Sequence, residues 1–116
     1  MGKYRTGRYT LPANLYMRML YLIRDYDRIQ KLADGIRNQK EKRGTLAEWD
    51  EERLREAVRE CEAVEQALVR IPFEYHAGIL NNIKFKCQYP CDADKVTYQR
   101  WKQRLIYHTA KNLKLW

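Results

Sequence analysis

No serine occurs anywhere in the 116 residues. A serine nucleophile is therefore excluded, together with the Gly-x-Ser-x-Gly elbow that presents one. Glycine is sparse, at five, and nowhere clusters into a phosphate-cradling loop. Histidine occurs twice, at His76 and His108, and never as His-Glu-x-x-His. No apolar run approaches the ~20 residues of a membrane span. The opening "MGKYRTGRYTLP" carries charge but no apolar stretch, so a secretory signal is not expected and the cytoplasm is the expected compartment. Three cysteines are an odd number, and a disulfide framework is not expected. Cys61 reads as a small core residue. Cys87-x₃-Cys91 with the two histidines could supply four zinc ligands. The spacing is unspecific and the histidines fall on separate predicted helices, so no metal and no cofactor is assigned. The acids of residues 48–65 fall on a helix flank as salt-bridge decoration, and no enzymatic activity is expected.

Charge is abundant and unevenly spread. A third of the residues are charged and the net charge is +8. Residues 1–45 carry eleven basic and four acidic groups, residues 46–70 four and eight, and residues 84–116 eight and two. Basic flanks around an acidic middle suit a polyanion, of which nucleic acid is the commonest in a cell. The length suits one domain, residues 1–116, with a single core.

Apolar spacing organises that domain. Residues 1–10 form a basic arm in which Lys3, Arg5 and Arg8 alternate with Tyr4 and Tyr9. Pro12 then opens a helix whose apolar residues Leu15, Met19, Leu22, Tyr26, Ile29, Ala33 and Ile36 step by four and three, an unbroken coiled-coil seam. Thr45 and Glu48 have the spacing of a capping box and predict the start of a second helix. Its seam runs through Leu54, Ala57, Cys61, Val64, Leu68 and Ile71. Matching seams and a short polar loop predict an antiparallel hairpin over residues 12–70, its basic first helix pairing with its acidic second. Pro72 ends that helix, a third follows through Ile83, and "KFKCQYPCDAD" interrupts. Asp92 or Asp94 is a suitable N-cap for the last helix. No segment alternates as a strand. The expected fold is all-α: a long helical hairpin packed with two shorter C-terminal helices in residues 72–116.

The last helix carries the functional signal. From Lys95 to Trp116 there are six basic residues and neither Asp nor Glu. At ~100° per residue, Tyr98, Trp101, Leu105 and Leu113 share an inward stripe. Gln99, Arg100, Gln103 and Lys111 turn away, and Lys102 and Arg104 flank it. Arg, Lys and Gln neutralise phosphates and reach base edges. The candidate nucleic-acid contacts are thus Lys95, Thr97, Gln99, Arg100, Gln103, Arg104 and Lys111, with Arg5 and Arg8 from the arm. DNA is the expected partner. The seams also admit a homodimer, and a cationic face also suits an acidic protein partner.

Several stretches resemble the phage-encoded transcriptional regulators of the RinA/ArpU type. These are "LPANLYMRMLYLIRDYDRI", "LREAVRECEAVEQALVRIPFEYHAGILNNI" with its Ile71-Pro72 step, and above all "TYQRWKQRLIYHTAKNLKL". The final helix carries the matching Tyr98, Arg100, Trp101, Lys102, Arg104, Ile106, Tyr107 and Ala110. The resemblance implies promoter binding through a sigma-factor-like helix-turn-helix, with Thr97, Gln99, Arg100 and Arg104 placed for base or phosphate contacts. The chain departs from that pattern between Ile83 and Asp94, where about ten residues replace the expected three- or four-residue turn. The departure makes a protein-interaction module the alternative, for instance a phage inhibitor of a host nucleic-acid-handling defence complex.

Overall fold

The computed structural model describes residues 8–116. Arg5, with Lys3 and Tyr4, lies outside the described residues. The fold is all-α, as expected: α1 (Ala13–Arg24), α2 (Tyr26–Arg43), α3 (Glu48–Val69), a 3-10 turn (Phe73–Tyr75), α4 (His76–Phe85) and α5 (Lys95–Asn112). Among the described residues there is no strand.

The first predicted helix is two helices. Asp25, at φ −93° and ψ 3°, separates α1 from α2. Its N–H still bonds to Tyr21 O and Leu22 O, so the break is a bend and not a loop. The bend exists because the two halves have different partners. α1 buries Met19, Leu20 and Ile23 against α4 and α5, whereas α2 buries Ile29, Ala33 and Ile36 against α3. The hairpin is therefore α2–α3, over residues 26–69, and not residues 12–70.

Two apolar clusters result. The larger joins Met19, Leu20 and Ile23 to Val64 and Ala67 of α3, Ile79 and Ile83 of α4, and Tyr98, Leu105, Ile106 and Ala110 of α5. The smaller holds only Ile29, Ala33, Ala57 and Cys61 between α2 and α3. A fully buried Leu or Ile contributes about 1.5–3 kcal/mol, so most of the stability resides in the larger cluster. The molecule measures 54 × 29 × 21 Å.

Two local expectations change. The ion pairs among the described residues are Arg28–Asp25, Arg37–Asp34, Arg53–Asp50 and Lys84–Asp27. None joins α2 to α3; three are one-turn pairs of neighbouring residues, so the expected pairing of basic and acidic flanks within the hairpin is absent. Nor does the Thr45–Glu48 box form. Gly44, in the left-handed region at φ 77°, caps α2, and the chain then runs extended through Ala47. Ala47 is the N-cap, so α3 begins two residues too late for Thr45 to reach it. Asp94 takes the N-cap of α5, though without a side-chain hydrogen bond.

Helices α4 and α5 both end on a lysine in the left-handed region, Lys86 at φ 58° and Lys114 at φ 59°. At α5 the Lys114 and Leu115 N–H groups return to Lys111 O and Ala110 O, a Schellman cap with lysine where glycine is favoured. The left-handed conformation costs an ordinary residue ~1–2 kcal/mol, partly offset by the greater freedom glycine has when unfolded. Lys86→Gly and Lys114→Gly are each expected to raise stability by about 0.5–1 kcal/mol, measured as a shift of the urea midpoint.

Candidate nucleic-acid interface

The base of the site is the crossing of α4 and α5. Gly78 faces Tyr98 so closely that a Cβ there would lie 2.6 Å from the Tyr98 ring and 2.8 Å from Pro90 Cδ. Tyr98 is 1% exposed. Its ring stacks on Tyr89 at 5.1 Å and meets Tyr75 edge-on at 5.3 Å, and its O–H donates to Asp92 Oδ1 at 2.7 Å. The Asp92 carboxylate, with burial, pushes the Tyr98 phenol up to about 12. The segment between α4 and α5 is thus a packed strap of nine residues, pinned at Tyr89, Pro90 and Asp92. Asn82 fastens one end, its amide donating to Cys87 O at 2.9 Å and its oxygen accepting from Lys102 Nζ at 2.8 Å.

On this base the predicted contacts separate into three groups. Arg100, Gln103 and Lys111 are exposed and, at ~100° per residue, share an outward stripe with Val96 and Tyr107. Lys95 and Gln99 are exposed but turn toward the strap, where Lys95 joins Lys86 at the edge of an open cleft of about 490 Å³. Thr97 and Arg104 are half-buried on the third side.

Arg104 is not a free cation. Its guanidinium lies 4.4 Å from the Tyr9 ring and 4.8 Å from Trp101, a sandwich that desolvates it. Its Nε is buried and, among the described residues, has no hydrogen-bond partner. Tyr9 also packs edge-on against Tyr107 and His108, at 5.3 and 5.7 Å. Tyr9 is therefore fastened to the middle of α5, and its neighbour Arg8 is exposed. Lys102 is likewise committed: it is half-buried, and burial followed by nearby Arg24 lowers its pKa.

Arg70, which the helical pattern did not single out, joins this surface. α3 and α5 pack together, with Asn112 Nδ2 donating to Ala63 O and Arg59 to Leu113 O. That order runs the two helices in opposite directions and brings exposed Arg70 toward His108. No local periodicity could have signalled a residue contributed by the end of another helix.

Comparison with protein families, with curated proteins and with solved structures returns no match.

The cysteines and histidines do not converge. Cys87 and Cys91 are exposed on the strap, His76 Nε2 pairs with Ile71 O at 2.8 Å, and His108 packs against Tyr9 and Tyr107. Among the described residues no three His, Cys, Asp or Glu side chains form a metal-binding group. Burial, then Arg70 and Arg104, hold the His108 pKa below its ordinary 6.5. In the unfolded chain the ring takes up its proton at the ordinary value. Below about pH 6.5 the unfolded state thus binds more protons, and stability falls as pH drops. His108→Gln is expected to flatten that decline below about pH 6.5, which thermal melts at successive pH values check.

Proposed function

We propose that the protein binds duplex DNA through the outward stripe of α5, with Arg8 and Arg70 at its flank, in the manner of a small phage-type transcriptional regulator. One observation carries this reading: Arg100, Gln103 and Lys111 are exposed together, and among the described residues no ion pair joins an α5 cation to an acid. Arg100 and Lys111 supply phosphate neutralisation, while Gln99 and Gln103 supply groups that can reach base edges. The nine-residue strap is longer than a helix-turn-helix turn, so phosphate contacts lead and the usual two-helix docking does not apply.

Electrophoretic shifts on random and promoter-like duplexes across a salt series test the proposal. Each neutralised phosphate contributes a slope of ~−0.9 in log K against log salt. Contacts from Arg8, Arg70, Arg100 and Lys111 give an expected slope of about −3 to −4. Absence of a salt-sensitive shift sinks the reading.

A second reading rests on a separate observation. Val69 and Phe73, 83% and 86% exposed, flank Arg70 at the end of α3. An apolar pair this exposed beside a cation suits a protein partner. The corresponding function is a protein-interaction module, such as a phage inhibitor of a host nucleic-acid-handling defence complex. Loss of a pulled-down partner on Phe73→Ala, with no DNA shift in the parent protein, would favour it.

A further inference from the structure

The α2–α3 hairpin has one open side. At ~100° per residue, Leu32 and Gly35 of α2 and Trp49, Glu56 and Glu60 of α3 turn to it. Leu22, Ile29, Leu32 and Ala57 floor a trough of about 310 Å³ on this side. It runs into a recess of about 290 Å³ at the base of the hairpin, where Met19, Leu22, Leu113 and Leu115 sit beside the charged Arg18 and Arg59. Leu22, Asp25, Glu56 and Glu60 border both, so the two form one channel. Nothing lies within 4 Å of the Cβ position of Gly35, so that side of α2 offers a smooth approach. Trp49, near the hairpin tip, is 62% exposed and held by Arg53, whose guanidinium lies 5.6 Å from the ring.

Charge on the hairpin is segregated, and its ion pairs Arg28–Asp25, Arg37–Asp34 and Arg53–Asp50 stay on their own side of the hairpin. α2 carries six basic and three acidic residues; α3 carries three and eight. No ion pair crosses between them within the chain. A basic rod beside an acidic rod, with a channel between them that is apolar at its floor and charged along its rim, is complementary to its own image turned end for end.

We propose that this open side is the interface with a second copy of the chain, arranged as an antiparallel two-fold pair. α2 of each copy lies along α3 of the other, and Trp49 of each seats in the recess at the base of the other's hairpin. The geometry meets the condition of a two-fold contact, in which each patch must fit itself. It closes a small two-helix layer into a four-helix bundle, the packing that buries both faces of such a seam. Trp49 and the recess beside Glu60 are separated by eleven residues of α3, or ~16 Å of helix rise, so turning one hairpin end for end over the other exchanges the two. The pairing involves neither the outward stripe of α5 nor Arg8, and does not depend on DNA binding.

Light scattering on a size-exclusion column, over a concentration series, should return twice the 14.1 kDa chain mass. Trp49→Ala alters a mostly exposed side chain that lies outside both apolar clusters and rests on Arg53, and should weaken self-association on the order of tenfold or more with helicity unchanged. Glu56→Lys with Glu60→Lys in one protein, and Arg28→Glu with Arg43→Glu in another, should each be monomeric. Mixed in equal amounts the two should form a heterodimer, because each reversed helix then meets its opposite. Circular dichroism on each variant shows whether it is folded, and Trp49→Ala keeps the test decisive if a charge reversal unfolds the hairpin. A wild-type chain that stays monomeric throughout overturns the proposal. So does a dimer indifferent to Trp49→Ala, or a mixture of folded reversals that fails to associate.

Discussion

A protein carrying Arg100→Glu and Lys111→Glu is expected to lose duplex affinity by about a hundredfold or more, with its thermal midpoint unchanged. In this reading each cation on the outward stripe makes a hydrogen bond between charged groups to a phosphate, worth on the order of 1.5 kcal/mol. Two such losses at ~1.4 kcal/mol each multiply to about a hundredfold, before any repulsion from the new carboxylates. The slope of log K against log salt should become shallower by about 2. The fold should be indifferent, because both side chains are exposed and neither makes an ion pair among the described residues. Arg104 is the wrong residue for this experiment despite its position in the same helix. Removing its guanidinium would unfasten Tyr9 and empty a sandwich against Trp101, so a fall in binding would not distinguish contact from collapse. Titration of the double variant by fluorescence anisotropy, beside wild type at matched salt, gives the result. Equal affinity for the two proteins would remove α5 as the binding element.

Replacing Gly78 is expected to be the most damaging small change in the head of the molecule. Glycine inside a helix ordinarily costs about 0.5–1 kcal/mol relative to alanine, so Gly78→Ala would stabilise α4 if nothing opposed it. Two neighbours oppose it. The new methyl would meet Tyr98 Cε1 at 2.6 Å and Pro90 Cδ at 2.8 Å. Neither can move aside cheaply: Tyr98 is stacked on Tyr89 and tethered to Asp92, and Pro90 is a rigid ring within the same strap. Overpacking of a tight core costs about 1–3 kcal/mol. The net result for Gly78→Ala is a loss of about 1–2 kcal/mol, and for Gly78→Val, which adds bulk and loses the helical gain, a loss on the order of 3 kcal/mol. Thermal melts should show a drop of several degrees for the first and a larger one for the second. A melting temperature unchanged by Gly78→Ala would mean that the strap is free to lift.

The helices were legible because burial follows the apolar steps, and the steps are regular. Where the reading went astray, the cause lay in another part of the chain. Leu22, Tyr26 and Ile29 continue the seam across Asp25 without a fault, so nothing local marks the bend; it comes from α1 and α2 facing different partners. On the helical projection His108 and Thr109 both lie close enough to the stripe of Tyr98, Leu105 and Leu113 to fill one inward position. Thr109 takes it, fully buried with its hydroxyl donating to Leu105 O, while His108 moves to the edge beneath Tyr9. Arg104 and Arg100 are equivalent as residue types and close on the helical projection; the approach of Tyr9, which has no counterpart at Arg100 among the described residues, adds to Trp101 in committing Arg104. The interruption after Phe85 was visible as the lack of a helical period. Its conversion into a clasp over Gly78 was not, since that depends on where α4 crosses α5. Of the proposed contact surface, the exposed positions Arg100, Gln103 and Lys111 could be read from spacing alone, whereas Arg70 entered through the antiparallel packing of α3 and α5.

The bend at Asp25 also sets an order of events during synthesis. α2 and α3 are neighbours along the chain and can close on each other while the polypeptide is still being made. α1 cannot, because its cover is α4 and α5, about sixty and about eighty residues further on, and closing so long a loop is slow. Until the ribosome has released Leu105 and Ile106, the nascent chain must carry Met19, Leu20 and Ile23 without their final cover. That interval is when a chaperone would find the protein easiest to hold.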